Sequence, residues 1–344
     1  MSVQFSPSQS RQFSQLQIRS IRSIAGSITE HLTSDLTTDC FSEKGWKEGR
    51  SPHKKQVSKK QAGIGSAPGT FGELLQGALS GETNNFLVTF PINRATTVAF
   101  IPYSNRCDIA TIPAGKSKSV QLIRRLLNSQ GIKTGGLLIF SEQLPAGKGL
   151  ASSSADMVAS ARAVADCYSF SLDNAFLSML LRDIEPTDGV MYSECVAFLH
   201  RRCELIKRLG PLPSLVVVGI DEGNAIDTVE FNQTVDSHSE IEMDEYARLL
   251  RMISVAVRKK DTSVIGKVST RSAEINQKYN PKQYLNLAIA VSEAIDALGV
   301  VVAHSGTYVG VLLDPSQAAF NRQFDQAKIA LSQSSRPVEV FRSV

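Results

Sequence analysis

A segment rich in glycine and serine, residues 145–155, has the residue types of a phosphate-binding loop. It reads PAGKGLASSSA and lies between a predicted strand and a predicted helix. Glycines let a backbone approach a ligand closely, and the free N–H groups and positive dipole end of a helix favour phosphate. The hydroxyls of Ser152, Ser153 and Ser154 could hold phosphate oxygens or Mg²⁺. The spacing of a Walker A loop is absent. A helix capped by Ser152 or Ser153, in which the glycines only turn the chain, explains the pattern equally well.

Residues 66–77, SAPGTFGELLQG, place a single carboxylate among three glycines. The carboxylate is Glu73, and the amide of Gln76 follows three residues later. A lone acid in such a setting could line a cleft as a contact to a substrate or a metal. A solvated turn has the same composition, so both interpretations stay open.

Residues 183–190, DIEPTDGV, set two carboxylates three positions apart around a Pro-Gly turn. Glu185 and Asp188 have the chemistry of a magnesium ligand and a general base. Acids around such a turn are also common on protein surfaces. This segment alone therefore does not decide between a functional and a structural role.

Residues 300–310, VVVAHSGTYVG, form two short apolar runs around a tight loop. The loop contains His304, Ser305, Gly306 and Thr307. A β-hairpin turn explains it locally, and a single histidine is more often a core or turn residue than a catalytic one.

The hydrophobic pattern predicts the elements that must position these segments. Strands are expected over residues 86–101 with a break at Pro91, and at 137–140, 215–220, 300–303, 309–313 and 338–341. Helices are expected over residues 151–168, 174–181, 243–257, 284–298 and 316–331. The proline-flanked stretch at 209–213 predicts a seam between two domains, 63–208 and 209–344, preceded by an extension over 1–62.

Composition limits the class of protein. The chain has 344 residues, of which 42% are hydrophobic and 20% are charged, and this excludes a disordered chain. No apolar run approaches the ~20 residues of a membrane-spanning helix. Five scattered cysteines without a C-x-x-C pair indicate neither a disulfide framework nor a zinc site, so the interior of a cell is expected.

The basic charge of the chain lies in its first 60 residues. They contain ten Lys and Arg against five Asp and Glu, a net charge of +5, which leaves about −1 for the remainder. The body is therefore not expected to bind nucleic acid. Apolar residues from Phe13 to Ile28 have helical spacing, which suits a partly helical extension, a partner-binding arm or a mitochondrial transit peptide. A cytoplasmic location is predicted, with the mitochondrion as the alternative.

Together, the four segments resemble the motifs of the GHMP kinase superfamily. Residues 66–77 resemble its first motif, 145–155 its P-x-x-x-G-L-G-S-S-A-A loop and 303–310 its C-terminal glycine-rich motif. The loop departs from that pattern at Ala151, usually Gly, and at Ser154, usually Ala. These variants, together with E-P-T-D-G at 185–189, resemble the L-threonine kinases of cobalamin side-chain synthesis and propanediol utilisation.

The resemblance covers residues 65–314 and implies a fold. It is an α+β fold of two domains, the first like domain 2 of ribosomal protein S5 and the second ferredoxin-like, with ATP in the cleft between them. Residues 1–60 lie outside the resemblance, and so long an extension is unusual for the family.

The resemblance also implies roles for individual residues. It places ATP against Pro145, Gly147, Lys148, Gly149, Leu150, Ala151, Ser152, Ser153 and Ser154. It places Mg²⁺ on Ser153 and Glu185, and makes Asp188 either the general base or a ligand of a substrate ammonium group. Substrate contacts are expected from Glu73, Gln76, Thr187, His304, Ser305, Gly306 and Thr307. Lys148, Arg94 and Arg271 are each possible partners for a substrate carboxylate.

The expected activity is ATP-dependent phosphorylation of the side-chain hydroxyl of a free amino acid. L-Threonine or L-serine is the first expectation, and homoserine or another hydroxylated metabolite is the alternative within the same class. A protein of this fold that binds metabolites without turnover is the alternative of another class. A homodimer is possible, and neither a membrane nor a nucleic acid is expected as a partner.

Overall fold

The computed structural model describes residues 60–81, 85–223 and 238–344, so the predictions for residues 1–59 lie outside it. In these ranges the chain forms ten strands and seven helices. The strands are β1 (Gly63–Ala78), β2 (Asn85–Pro102), β3 (Ile109–Ile112), β4 (Gly136–Glu142), β5 (Cys195–Leu199), β6 (Glu204–Gly210), β7 (Val216–Asp221), β8 (Gly299–Val302), β9 (Tyr308–Leu313) and β10 (Val338–Arg342). The helices are α1 (Ser117–Ser129), α2 (Ser152–Tyr168), α3 (Asn174–Arg182), α4 (Glu240–Lys259), α5 (Thr262–Asn276), α6 (Leu285–Ala294) and α7 (Phe320–Ser332).

All ten strands belong to one sheet. Its order is β10-β7-β9-β8-β1-β2-β4-β3, and β5 pairs with both β2 and β6. The long β1 is central because it pairs with β2 along its length and with β8 where Glu73 faces Val302. This second pairing joins strands from the first half of the chain to strands from the last third.

The structure corrects the interpretation of residues 66–77 as a turn. They lie within β1, whose register shifts relative to β2 between Pro68 and Leu75. The glycines serve close packing here: a Cβ on Gly72 would lie 2.3 Å from the Val302 carbonyl oxygen of β8, and a Cβ on Gly69 would lie 2.8 Å from the Leu150 carbonyl oxygen. A composition typical of turns therefore marks positions where other backbone segments lie directly against a strand.

The predicted break at Pro91 is also wrong, because β2 runs through it. Pro91 faces Thr70, and the register of β1 shifts on both sides of that residue. A proline lacks the N–H group of a regular ladder, so an irregular position in the pairing tolerates it.

Buried side chains form three main groups around the sheet. The first lies under α1, α2 and α3 and includes Phe100, Leu122 and Val158. The second, under α4 and α5, and the third, under α6 and α7, fill the remainder of the sheet. The architecture is α+β, as predicted. The expected domain boundary between residues 208 and 209 falls inside β6, and the division into two domains stays a prediction.

Two expectations drawn from composition can be compared with the fold. No helix of the described ranges is both long and apolar enough to cross a membrane. Cys167, Cys195 and Cys203 are free and buried, whereas Cys107 is disulfide-bonded, which the cysteine spacing did not indicate.

Candidate active site

The glycine-serine loop leads directly into the N-terminus of α2. The N-cap of this helix is Ala151, and no side chain caps it. The alternative in which Ser152 or Ser153 serves as the N-cap is therefore wrong. The first N–H groups of a helix have no partner within the helix, so here they are left for another acceptor.

The loop has left-handed backbone at alternating positions. The φ angles of Gly147, Gly149 and Ala151 are 70°, 77° and 57°. Ala151 stands where the superfamily pattern has Gly, and its φ shows why, since a left-handed conformation costs a non-glycine residue about 1–2 kcal/mol. Backbone N–H groups in such alternating conformations form concave anion sites.

The first motif (residues 66–77) and the C-terminal glycine-rich motif (residues 303–310, the third motif) support the loop from two sides. From β1, the N–H of Gly72 donates to the Gly149 carbonyl at 3.0 Å, and the N–H of Thr70 donates to the Leu150 carbonyl at 3.3 Å. From the turn between β8 and β9, the N–H of Thr307 donates to the Lys148 carbonyl at 3.2 Å. The loop conformation is thus fixed by segments that are about 80 and 160 residues away in sequence.

The side chain of Lys148 points to the end of β7. Its Nζ lies 2.7 Å from Asp221 Oδ2, and Thr307 Oγ1 donates to Asp221 Oδ1 at 2.6 Å. Desolvation acts to raise the pKa of Asp221, but the bonds from Lys148 and Thr307 outweigh it and lower that pKa. Asp221 is therefore a charged anchor that links the glycine-serine loop to the turn between β8 and β9.

The other two cations considered for a substrate carboxylate bind carboxylates elsewhere. Arg94 Nη1 lies 2.6 Å from Glu339 Oε2. Arg271 Nε lies 2.7 Å from Glu245 Oε1, and its Nη1 lies 3.0 Å from Glu274 Oε2. Neither arginine has a bond to the four motifs among these contacts.

Two consecutive serines of α2 bind the two carboxylates of residues 185–189. Ser153 Oγ donates to Glu185 Oε1 at 2.5 Å, and Lys118 Nζ from the start of α1 pairs with the other oxygen of Glu185. Ser154 Oγ lies 3.5 Å from Asp188 Oδ2 and accepts from the Asp188 N–H at 3.4 Å. Both acids therefore lie against the first turn of the helix.

Asp188 has a strongly shifted proton affinity. Burial of its carboxyl group, with added repulsion from Glu73 and Glu185, raises its pKa to about 8. Shifts of this kind are typical of functional sites, where a base must have a pKa near the working pH.

Glu73 and His304 form a buried pair beneath these groups. Glu73 Oε2 accepts from both the backbone N–H and the Nδ1 of His304, at 3.2 and 3.0 Å. His304 Nε2 lies 2.8 Å from Ser272 Oγ, so both ring nitrogens are engaged. Lys282, also buried, donates to the Gly306 carbonyl, and burial lowers its pKa to about 8.

Comparison with known proteins identifies the family of the segment that contains the glycine-serine loop. The family profile described as "GHMP kinases N terminal domain" matches residues 117–193, which contain α1, this loop and both acids of the 185–189 segment. Residues 117–193 are a GHMP kinase N-terminal domain.

Similar proteins and structures agree with this assignment. An L-threonine kinase of Citrobacter freundii is 26% identical over 253 residues, 73% of this kinase and 86% of the relative. An L-threonine kinase of Salmonella typhimurium is 25% identical over 266 residues, 73% of this kinase and 83% of the relative. In fold, the kinase resembles a homoserine kinase of Cytophaga hutchinsonii (TM-score 0.65, 16% identity, 83% and 96% covered) and the Methanococcus jannaschii mevalonate kinase (0.63, 15%, 84% and 100%). The α+β fold is thus the GHMP kinase fold, and the protein is a phosphotransferase.

The kinase brings together most of the residues that its sequence singles out. Glu73, residues 147–154, Glu185, Asp188 and residues 304–307 are linked by the contacts described above. Thr187 is fully buried beside Asp188, and its Oγ1 has no hydrogen-bond partner among the described residues. By contrast, Pro145 is exposed at the entrance to the loop, and Gln76 contributes its backbone N–H to Ser272.

Several residues of the site carry no signal in the sequence. They are Lys118, Asp221, Ser272 and Lys282. Each lies outside the four motifs and reaches the site through contacts with residues 24 to 196 positions away. Only the fold could reveal them.

Proposed function

We propose that this kinase transfers the γ-phosphoryl group of ATP to the side-chain hydroxyl of a free amino acid, with L-threonine as the first candidate and L-serine as the second. The observation that carries the proposal is the uncapped N-terminus of α2, whose first turn bonds to both Glu185 and Asp188. A phosphate site and a base are thereby held on one helical turn. Phosphoryl transfer requires of a protein mainly such positioning and charge stabilisation.

ATP fits the loop on the evidence of the backbone. The left-handed residues and the uncapped helix provide N–H donors for phosphate oxygens, and the close contact between Gly149 and Gly306 packs the loop against the turn between β8 and β9. Residues 147–154 would hold the phosphates. The ionic contact with Asp221 holds the ammonium group of Lys148 at the edge of this loop.

Mg²⁺ fits a pair of oxygen donors in the site. Ser153 Oγ and Glu185 Oε1 are 2.5 Å apart, and Mg²⁺ prefers oxygen ligands completed by water and substrate phosphate. No group of three or more His, Cys, Asp or Glu side chains in the described ranges could hold a metal ion, which agrees with an ion held largely by the nucleotide. When bound, Mg²⁺ neutralises charge on the transferred phosphoryl group.

Asp188 would accept the hydrogen of the acceptor hydroxyl as the phosphoryl group is transferred. Its raised pKa of about 8 suits a group that takes up a proton near neutral pH. Glu73 keeps a second carboxylate beside it, bound through a single oxygen to His304. The binding of cations between these carboxylates would lower the pKa of Asp188, so that it loses its proton and can act as a base.

The choice of threonine rests on the relatives and on the motif variants. Both relatives above are L-threonine kinases, and each is identical to this chain at about a quarter of the aligned residues. At this sequence identity the acceptor pockets of two related kinases can differ. The acceptor is therefore tested directly by an assay.

The assay is ADP release from Mg-ATP in the presence of L-threonine, L-serine, L-homoserine, aminopropanol, mevalonate or galactose. We expect a strong response to L-threonine or L-serine that is lost in Asp188→Asn. A response to homoserine alone would replace the proposed acceptor. If no compound gives ADP release while ATP binding is measurable, a protein of this fold that binds metabolites without turnover is favoured.

Replacing Ser153 by Ala should weaken the use of Mg-ATP. Loss of its hydroxyl removes one oxygen donor and leaves Glu185 held by Lys118 alone. We expect the KM for Mg-ATP to rise by about 10-fold or more in steady-state assays over a range of Mg²⁺ concentrations. Ser160→Ala is the matched control, since Ser160 lies in the same helix and its hydroxyl donates, among the described residues, to the Asp156 carbonyl alone. Unchanged kinetics in Ser153→Ala would show that this serine holds neither the metal nor the nucleotide.

A further inference from the structure

Lys118, a residue of α1 outside the four motifs, binds the carboxylate that the proposed function assigns to Mg²⁺. Its Nζ pairs with Glu185 Oε2, while Ser153 Oγ donates to Glu185 Oε1 at 2.5 Å. The side chain of Glu185 is only 7% exposed, whereas that of Lys118 is 44% exposed. The lysine therefore reaches a buried carboxylate from a half-exposed position.

Other contacts than this pair hold α1 in place. Lys116, the N-cap of α1, binds Asp156 of α2 at 2.5 Å. Further along the helix, Arg125 Nη1 lies 3.4 Å from Asp183 Oδ2. The buried apolar side chains of α1 are Leu122, Ile123, Leu126 and Leu127. Since the helix is docked by these contacts, the bond from Lys118 to Glu185 is not needed for its position.

Lys118 and a divalent metal ion would compete for Glu185. Both are cations, and a carboxylate shared between them would bring like charges close together, where they repel strongly. No group of three or more His, Cys, Asp or Glu side chains in the described part of the chain could hold a metal ion, so the protein alone supplies few ligands to offset that repulsion. A metal ion without nucleotide is therefore expected to bind weakly while Lys118 occupies the carboxylate.

A nucleotide would change this balance, because its phosphates carry negative charge. They supply oxygen ligands to the metal and hydrogen-bond acceptors to an ammonium group at the same time. The uncapped N-terminus of α2, where the phosphates are proposed to bind, includes the serine that contacts Glu185. Only the Glu185 carboxylate separates the ammonium group of Lys118 from this serine.

We propose that Lys118 couples the binding of Mg²⁺ to the binding of nucleotide. In the free kinase its ammonium group holds Glu185 beside Ser153 and keeps the metal from binding alone. When a nucleotide binds, the ammonium group passes to a phosphate oxygen, and Glu185 becomes available to the metal. The coupling rests on the proposed function, which places the metal on Ser153 and Glu185, but it does not depend on the identity of the acceptor.

Binding of Mn²⁺ tests this coupling without catalysis. Mn²⁺ takes the same octahedral oxygen ligands as Mg²⁺, and its electron paramagnetic resonance signal distinguishes free from bound ion. We expect Lys118→Met to bind Mn²⁺ alone about 10-fold or more tightly than the unmodified kinase does, because the competing cation is removed. The complex of Mn²⁺ with a non-hydrolysable analogue of ATP should bind both proteins with affinities within about 3-fold, since the variant loses the competitor and the phosphate contact together.

Three further variants assign the effect to this ion pair. Arg125→Met is the matched control, because Arg125 joins the same helix to the same segment through an exposed carboxylate, and it should leave Mn²⁺ binding unchanged. Lys118→Arg keeps a cation and should also bind Mn²⁺ weakly. Lys118→Met combined with Glu185→Gln should lose the gain in affinity, because the metal then lacks its carboxylate ligand.

Equal affinity for Mn²⁺ alone in Lys118→Met and the unmodified kinase would overturn the proposal. A gain that persists in the double variant, or that is equally large for the complex of Mn²⁺ with the ATP analogue, would overturn it as well. None of these measurements includes an acceptor, so their failure is distinct from a failure of the product assay. If Lys118→Met does not fold, Lys118→Gln, which is neutral and can still donate to Glu185, provides the same readouts.

Discussion

Replacing Asp188 by Asn is expected to lower kcat by about 10²-fold or more with little change in nucleotide affinity. The amide cannot accept the proton of the acceptor hydroxyl, while its size and its contact with Ser154 are kept. Steady-state kinetics and ATP titration measure the two effects separately. A variant with unimpaired kcat would remove Asp188 from the catalytic step.

The same substitution is expected to raise the thermal stability of the protein. The pKa of Asp188 is raised in the folded state to about 8 from the ordinary 3.8, so the unfolded chain loses this proton first as the pH rises. The contribution to stability is therefore present below about pH 4 and is lost progressively as the pH rises through about 8. Asparagine carries no such charge. The Tm advantage of Asp188→Asn should be small at pH 5 and reach its largest value, a few degrees, above pH 8.

Asp183→Asn is the control for both effects. Asp183 lies five residues earlier in the same segment, and its side chain is 62% exposed. In the described part of the chain it pairs only with Arg125 and Arg182, at the surface. Its replacement should change neither kcat nor the pH dependence of Tm. A Tm advantage of Asp188→Asn that is equal at pH 5 and pH 8.5 would contradict the burial of a charge at this position.

Replacing Gly149 by Ala is expected to give the second large effect. A Cβ at this position would lie 2.4 Å from the Ala303 Cβ and 2.9 Å from the Gly306 Cα, and the φ of 77° is strained for alanine. The phosphate loop and the third motif would have to move apart. We expect a loss of about 1–3 kcal/mol in the free energy of unfolding and a fall in ATP affinity of about 10-fold or more.

Gly131→Ala separates backbone strain from the contact between motifs. Gly131 has a φ of 67°, and a Cβ there would meet nothing within 4 Å. This variant should lose about 1 kcal/mol of stability and keep its ATP affinity, as measured by chemical unfolding and calorimetric titration. Equal ATP affinity in Gly149→Ala and the unmodified kinase would mean that this part of the loop does not hold the nucleotide.

The sequence was sufficient to predict the family and the segments of the site, but not the structure of each segment. Residues 66–77 have the composition of a turn, yet they form part of the central strand, where Gly69 and Gly72 admit the backbone of residues 150 and 302. The pattern over 145–155 allowed either a capped helix or a phosphate site, and only the backbone shows Ala151 at the N-cap. Local composition shows which backbone conformations a segment can adopt, whereas tertiary packing determines which of them it adopts.

The supporting residues of the site could not be predicted for a different reason. Asp221, Lys118 and Ser272 act on the motifs through contacts across the fold. Asp221, for example, reaches Lys148 only because β7 ends beside the loop. These residues lie outside any recognisable sequence motif, so their spacing in the sequence does not identify them. Their roles depend on strand order and register, which a single sequence does not determine.

Phosphorus NMR of the reaction products tests the central claim most directly, since ADP release alone does not distinguish transfer to an acceptor from hydrolysis of ATP. The full-length kinase is incubated with Mg-ATP and L-threonine, and the phosphomonoester and ADP signals are followed together. We predict O-phospho-L-threonine and ADP in equal amounts, with both signals lost in Asp188→Asn and retained in Asp183→Asn. Inorganic phosphate in place of a phosphomonoester, or a phosphomonoester only with an acceptor that is not an amino acid, would contradict the account.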